Sequence, residues 1–577
     1  MNSIQTRKPK KNKFDLSHEV KMTGNMGNLY PCFIQDVIPG DSFRVDTQQL
    51  IRFSPLLAPM MHNIDFKLDY FFVPYRLVWD EWKDFITGGE DGNDLPSYPR
   101  ARIDATTRNA YLTKGSLADY LGIPPYIATG DNAAIGRAWT GLSTSSATQQ
   151  EISVLPFRAY QLIWHEYFRD QNVVQDGYTQ YTDSGVQASG NLSDQLTLRK
   201  TNWQKDYFTS SLPFLQRGGE VSLPLGDLAP IVYGDYDSIT PDTTNDFQIY
   251  RKPYSVDPAG LLTYQSGISS NSNANLLNTN GTDFGNIDLS GSHAVDLSSA
   301  TGATINELRK ASALQEWLEL MARAGSRYRE QIFAIFGEKI PDYTVQIPKY
   351  LGGGKTPIMI SEVLSTYAST ATASTGGSQD RPQGDMSGHA LALGDNIGFT
   401  ESFDEHGIIL GLCRIVPKAS YVQGLSKFWQ KFDKFDHYFP QFANLGEQEV
   451  HAKELYVKGH TASSGFDTDN AQGTGGNSHD ETIFGYQQRY AEYKYAQNRV
   501  AGDFRDTLAH WELSRRFTDY PLLNQDFIEV DSETDGLING LNRIFAINTT
   551  DDKIWMSLYH KVDALRPIPY FLNPSLT

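Results

Sequence analysis

Apolar and polar residues alternate along the first part of this chain, and the alternation predicts β-strands within 29–73. From Phe66 to Phe72 every second residue is apolar, which places Lys67 and Asp69 on the opposite face of a strand that ends before Pro74. Further along, the run 408–416 is almost wholly apolar and predicts a buried strand.

Apolar residues that recur at steps of three and four predict three helices. The predicted helices span 78–86, 156–170 and 303–337. Pro156 lies near the start of the second helix, where a missing N–H costs little. Gly325 interrupts the longest pattern, so this segment is either two helices or one helix with a close-packed crossing.

The stretch 230–303 has a different character, because Asn, Ser, Thr, Gly and Asp dominate it. It still carries apolar residues that a purely solvated linker would lack: Tyr250, Tyr254, Leu261, Leu262 and Tyr264. We therefore expect a small surface insertion that needs neighbours to become ordered. Shorter stretches of the same kind predict loops at 127–150, 366–396 and 459–480. The pattern favours one β core with large loops over tandem domains.

Composition supports many short strands joined by long loops. The 577 residues include 48 Gly and 27 Pro, and 40% are hydrophobic, with 31 Tyr, 30 Phe and 9 Trp. Such aromatic enrichment is typical of protein–protein interfaces, although aromatic segments also serve as substrate platforms. We expect core and interface packing, because these residues lie at strand or helix period. Cys32 and Cys413 are predicted to be small buried hydrophobic residues.

Charge excludes several functions. The chain has 50 Lys and Arg against 68 Asp and Glu, a net charge of −18, so its surface as a whole does not suit nucleic acid. No run of about 18 apolar residues predicts a transmembrane helix, and the basic N-terminus lacks the apolar region of a secretory signal. Residues 1–13 are a local exception with five cations: Arg7, Lys8, Lys10, Lys11 and Lys13. They form either a frayed terminus or an arm that contacts phosphates.

No catalytic or metal-binding motif is complete. The glycine-rich segment 351–356 has Lys349 where a phosphate-binding loop needs its first Gly, and Pro357 follows it, so we predict a turn. His165 and Glu166 begin like a zinc-binding helix, but Arg169 occupies the position of the second His. We predict no catalytic residue, no metal and no cofactor. A glycosidase-type pair of carboxylates can be neither excluded nor located.

Several short segments, taken in order, resemble one family. They are 14–18 (FDLSH), 38–43 (IPGDSF), 71–79 (FFVPYRLVW), 155–160 (LPFRAY), 170–172 (DQN), 205–209 (KDYFT), 216–218 (QRG), 305–309 (INELR), 325–328 (GSRY), 484–487 (FGYQ), 489–493 (RYAEY) and 502–505 (GDFR). The set is similar to the major capsid protein of microviruses, which are small single-stranded-DNA bacteriophages, and in particular to the gokushovirus branch.

The resemblance implies a mainly β fold: an eight-stranded antiparallel viral jelly-roll barrel with long loop insertions and a few helices. It implies a basic arm at 1–13 and a jelly-roll domain at 14–577, with 230–303 forming a spike at the threefold axis. It also implies assembly of a T=1 icosahedral shell around circular single-stranded DNA. No enzymatic activity and no membrane insertion are expected.

The same resemblance implies the partners. They are further copies of the chain, in two-, three- and fivefold contacts, packaged single-stranded DNA, a small basic DNA-packaging protein and a host cell-surface receptor. We expect a virion protein assembled in the bacterial cytoplasm, acidic outside, with the five cations of 1–13 facing DNA and the five apolar residues of 230–303 facing the receptor. The alternative is a secreted acidic β-sandwich that binds or hydrolyses polysaccharide.

Overall fold

The computed structural model describes residues 10–127, 138–139, 142, 150–174, 179–219, 221, 231–233, 254–256, 262–264, 293–295, 305–366, 384, 386–457, 482–531, 540–546 and 551–571. The chain divides into two compact units. The first comprises Met1–Arg217 and Glu319–Thr577, and the second comprises Gly218–Leu318.

The described strands are numbered in chain order. They are β1 Asn12–Asp15, β2 His18–Gly24, β3 Tyr30–Val37, β4 Ser42–Phe53, β5 Ile64–Pro74, β6 Arg100–Ile103, β7 Gln150–Ser153, β8 Ile231–Tyr233, β9 Tyr254–Val256, β10 Leu262–Tyr264, β11 His293–Val295, β12 Lys349–Pro357, β13 Met359–Leu364, β14 Met386–Ser402, β15 Gly407–Pro417, β16 Glu447–His451, β17 Ile483–Gln488 and β18 Ile554–Arg566.

The described α-helices are fewer than the strands. They are α1 Trp82–Thr87, α2 Ala105–Tyr111, α3 Leu117–Tyr120, α4 Leu155–Ile163, α5 Ser189–Leu196, α6 Ile305–Ala324, α7 Tyr328–Phe336, α8 Asp342–Val345 and α9 Gln525–Ile528. A π-helical turn, Trp164–Phe168, continues α4.

Two antiparallel sheets form the centre of the first unit. One has six strands in the order β1-β18-β4-β14-β13, with β2 also paired to β18, and the other has four in the order β12-β5-β15-β3. We count β1 and β2 as one interrupted edge and set aside β13. The eight remaining strands, numbered in chain order, then form sheets 1-8-3-6 and 2-7-4-5. This interleaving is the double Greek key of a jelly roll, so the predicted mainly β fold is confirmed.

The barrel interior is filled from both sheets. The alternating residues of β5 predicted to face inward, Phe66, Leu68, Tyr70 and Phe72, are all buried there, together with Leu558 of β18. Every second residue along β4 is likewise buried. The residues between them are more exposed, because the other face of this sheet meets solvent.

The four-stranded sheet is also covered on its outer face. Phe71 of β5 and Leu410 of β15 point away from the barrel and pack with α4, whose Phe157 and Tyr160 are fully buried. Burial on both faces explains why β15 is apolar almost throughout, as predicted for 408–416. The helix that supplies this cover lies in the stretch of chain between β5 and β12, and the second unit lies in the same stretch of sequence.

The described strands of the second unit form short antiparallel pairs. β8 pairs with β11, so that Ile231 lies opposite Val295 and Tyr233 opposite His293. The two ends of the predicted insertion are therefore adjacent in backbone register, as in a hairpin. A second pair, β9 with β10, lies between them in sequence.

The helix predictions need correction at their ends. Gly325 has a left-handed φ of 107° and separates α6 from α7, so the two-helix alternative is confirmed. The predicted helix 78–86 is wrong before Trp82. There the Asp80 N–H donates to Thr182 O at 3.2 Å, a tertiary hydrogen bond that replaces a helical one.

Two predictions of irregular structure are wrong. Residues 386–396 belong to β14, because β4 and β13 supply hydrogen-bond partners on both sides. The glycine-rich segment 351–356 is part of β12 rather than a turn. A Cβ at Gly353 would lie 2.6 Å from Leu68 O, so this strand needs glycine to approach β5. The loops predicted at 127–150 and 459–480 lie largely outside the described residues.

A buried polar network ties both sheets together inside the barrel. His560 of β18 is fully buried, and its Nε2 donates to Cys32 O on β3 at 3.0 Å, while Nδ1 lies 2.9 Å from Thr47 Oγ1 on β4. Burial, helped by the neighbouring His18, lowers the pKa of His560 to about 4. Cys32 and Cys413 are both free and buried, as predicted.

This histidine makes the barrel sensitive to acid. In the unfolded chain His560 binds a proton below about pH 6.5, whereas in the folded barrel it does so only near pH 4. Stability is therefore lost as pH falls from about 6.5 to 4, by about 3 kcal/mol in total. The free energy of unfolding, measured with denaturant across this pH range, should change less with pH in His560→Gln than in the parent chain. The exposed His389→Gln serves as control, and equal pH profiles for all three would contradict this account.

Candidate functional site: assembly and nucleic-acid surfaces

The basic arm is described from Lys10 onward, and Arg7 and Lys8 lie outside the described residues. Lys13 belongs to β1, and its Nζ lies 2.9 Å from Asp563 Oδ1 on β18. Lys13 is thus held on the barrel edge with its charge partly neutralised. Lys10 and Lys11 are exposed and form no ion pair with another described residue.

The rings of Tyr570 and Phe571, which the sequence did not single out, lie beside this arm. Phe14 stacks on Tyr570 with ring centroids 5.4 Å apart, and Asn12 Nδ2 donates to Ile568 O at 2.7 Å. Tyr570 and Phe571 are 65% and 84% exposed. Cations next to exposed rings suit unpaired nucleic acid, since bases stack on aromatic side chains while cations contact phosphates.

The predicted receptor residues are only partly described. Tyr250 and Leu261 lie outside the described residues. Tyr254 of β9 lies opposite Tyr264 of β10, and Leu262 begins β10. The backbone thus brings three of the five residues onto one two-stranded ladder.

An extended exposed aromatic region of the described chain was not predicted from the sequence pattern. We call it the aromatic surface, and its members are Phe428, Trp429, Phe432, Phe435, Tyr438 and Phe439. Phe432 is 90% exposed and Trp429 is 67% exposed. The signal was the repeated step of three residues between aromatics from 429 to 438, which resembles a helix face and would ordinarily indicate core.

Local hydrogen bonds keep this segment from folding its rings inward. It forms three short 3-10 helices, Lys427–Gln430, Lys434–Asp436 and Pro440–Phe442, rather than one amphipathic helix. The Asp436 carboxylate accepts from the N–H groups of Phe432 and Asp433, each at 2.9 Å. These turns fix the backbone and leave the rings on the outside.

The lysines between the aromatics are engaged within the chain. Lys431 Nζ lies 3.2 Å from Glu492 Oε1 and 3.7 Å from the centre of the Tyr493 ring. Lys427 pairs with the buried Glu454 at 3.7 Å, and Lys434 lies over the ring of Phe435. Two of these three lysines are therefore paired with carboxylates, and the aromatic surface presents mainly apolar rings. This chemistry suits a protein partner better than a phosphate backbone.

Comparison with known proteins gives the family. The sequence profile of the family described as Capsid protein (F protein) matches residues 2–576. Capsid protein VP1 of Chlamydia phage 1 is 32% identical, over 99% of this chain and 97% of the relative. VP1 of Bdellovibrio phage phiMH2K is 34% identical over 90% and 88%, and VP1 of Spiroplasma virus 4 is 28% identical over 98% and 95%.

A jelly roll with long insertions and uncovered aromatic surface is the architecture of a shell-forming protein. The chain belongs to the major capsid protein family of the microviruses, and its relatives are of the gokushovirus type. Its role is structural: it assembles with further copies into a shell and is a component of the virion. The family supports the capsid hypothesis over the polysaccharide alternative. Among the described residues, no helix is long and apolar enough to cross a membrane.

Proposed function

We propose that this chain forms a T=1 icosahedral shell that encloses circular single-stranded DNA and attaches to the host through threefold protrusions. The aromatic surface is the observation that carries the assembly part of this proposal. Its six rings are held outward by local hydrogen bonds, and exposed apolar patches of this kind mark interaction sites. In the shell these rings are buried against a neighbouring copy.

DNA contact is assigned to the arm. Lys10 and Lys11 form no ion pair with another described residue, whereas Lys13 is paired with Asp563, and the sequence adds the charges of Arg7 and Lys8 to the arm. The rest of the chain is strongly acidic, so a small basic packaging protein neutralises most of the genome charge. Assembly takes place in the host cytoplasm.

Attachment is assigned to the insertion 230–303 within the second unit. Its composition and the pairing of β8 with β11 support a surface loop whose two ends are adjacent. Three such insertions meet at each threefold axis, and Tyr250, Tyr254, Leu261, Leu262 and Tyr264 contribute to the receptor contact.

Phe432→Ser tests the assembly surface. The ring is 90% exposed in the single chain, so its loss should change the free energy of unfolding by less than about 0.5 kcal/mol. As an interface anchor it is worth about 2 kcal/mol, which raises the protein concentration needed for assembly more than tenfold. Light scattering measures this threshold. Leu95→Ser, at 87% exposure, is the matched control and should assemble normally. An unchanged threshold for Phe432→Ser would contradict the assignment.

The arm is tested by changing Arg7, Lys8, Lys10 and Lys11 to Gln while Lys13 is kept, since Lys13 stabilises the barrel edge. Particles should still form but retain less DNA per shell, as measured by absorbance ratio and nuclease digestion. The control replaces four exposed lysines elsewhere by Gln, which removes the same total charge: Lys83, Lys114, Lys339 and Lys561. Equal DNA content in both variants would rule out the role of the arm.

The spike is tested by replacing 234–292 with a short glycine-serine turn between β8 and β11, which are already neighbours. We expect normal shells with normal DNA content that no longer adsorb to host cells. Particle imaging and DNA content show whether assembly is intact, and adsorption is measured as phage depletion from the medium. Adsorption at the parent rate would refute the spike assignment.

A further inference from the structure

A second charged region lies on the outer face of the four-stranded sheet, where the apolar cover of α4 ends. A cavity of about 420 Å³ opens there, between the sheet, the π-helical turn after α4 and the segment 201–205. Cations outnumber acids in its lining, which contains Lys67, Arg169, Lys205, Arg327 and Arg414 but only Asp170 and Glu330.

Three cations form a row across the sheet beside this cavity. Lys67 of β5 lies opposite Arg414 of β15 on one side and opposite Lys355 of β12 on the other. All three side chains project from the face away from the barrel, because Phe66 and Leu68 on either side of Lys67 fill the barrel core. Like charges that are directly opposite destabilise a sheet, and Asp65 and Asp69, two residues before and after Lys67 on the same face, offset only part of this repulsion.

Most cations around the cavity have a hydrogen-bonded or ion-pair partner, whereas Lys67 has none among the described residues. Arg414 Nη1 lies 2.6 Å from Asp69 Oδ2, and Arg327 Nη1 lies 3.3 Å from Glu330 Oε1. Lys205 donates to Thr209 O at 2.7 Å and pairs with Asp170. Lys67 has no ion pair or hydrogen bond with another described residue, and burial together with the charge of Arg414 lowers its pKa.

The walls offer apolar contact. Phe168 and Trp203 line the cavity, and the Arg414 guanidinium lies 4.7 Å from the centre of the Phe168 ring. A volume of about 420 Å³ is within the range of small-ligand pockets. An unpaired cation beside aromatic walls is the combination that recognises a phosphate joined to a flat base.

We infer that this cavity binds one nucleotide of single-stranded DNA, with a phosphate at Lys67 and the base against the aromatic walls. The inference rests on the proposed function, because packaged DNA is the source of the nucleotide. It differs from the arm in kind: the arm supplies exposed charge, whereas the cavity supplies a shaped site. The anion removes the like-charge repulsion between Lys67, Lys355 and Arg414.

The test uses the purified full chain before assembly and a labelled oligothymidylate of about ten nucleotides, measured by fluorescence anisotropy at several salt concentrations. Lys67→Gln should weaken binding about three- to tenfold at low salt. It should also reduce the slope of log affinity against log salt by about 0.7, the loss of one phosphate contact. Lys67→Arg keeps the charge and should retain binding. Lys561→Gln, an exposed lysine on β18, is the matched control and should bind as the parent does.

Three results would overturn the inference. The first is equal oligonucleotide affinity for Lys67→Gln and Lys561→Gln. The second is inorganic phosphate binding as tightly as the oligonucleotide, which would make the site one for free phosphate. The third is a Lys67→Gln chain that binds oligonucleotide normally but fails to assemble, because the cavity would then receive an acidic segment of a neighbouring copy. Shell formation and DNA content of the parent chain are measured in parallel, so failure of the capsid proposal is seen separately.

Discussion

The four-stranded sheet is apolar on both faces, and the rest of the first unit is arranged to cover it. Its inner face packs against the six-stranded sheet to fill the barrel, and its outer face packs against α4 and the segments around it. A β-sheet that is buried on both sides needs such a second layer, because the apolar area of β15 would otherwise meet water. The first part of the long insertion between β5 and β12 is therefore needed to cover the sheet, and the second unit follows within the same insertion in sequence.

Where that cover ends, the outer face changes from apolar to charged. Along β15 the outward residues are apolar up to Leu412 and then give way to Arg414, and along β5 they change from Phe71 to Asp69 and Lys67. The six-stranded sheet has no such change, since β4 alternates along its whole length. The two sheets thus differ in burial: the outer face of the six-stranded sheet meets solvent, whereas that of the four-stranded sheet is covered as far as the cation row beside the cavity.

Much of the barrel could be predicted from sequence, because strong patterns determine it. The alternation in β5 and the apolar run of β15 gave correct strands with correct faces. β14 escaped because its buried positions Ala390 and Ala392 are small and lie among Ser and Gly, so its strand character comes from β4 and β13. The aromatic surface escaped for the opposite reason: its spacing is typical of core, and only the turns around Asp436 place the rings outside. The order of the short motifs along the sequence identified the family. The exposure of the aromatic rings and the pairing of the nearby lysines define the candidate site, and both depend on tertiary contacts.

The account depends on the aromatic surface being an interface between copies rather than a contact with DNA or solvent. The most direct measurement is a density map of the assembled particle at side-chain resolution. The account predicts a closed T=1 shell in which Phe432 and Trp429 are buried against a neighbouring copy, while Lys431 keeps its contact with Glu492 within the chain. A shell in which these rings face solvent or packaged DNA would contradict it.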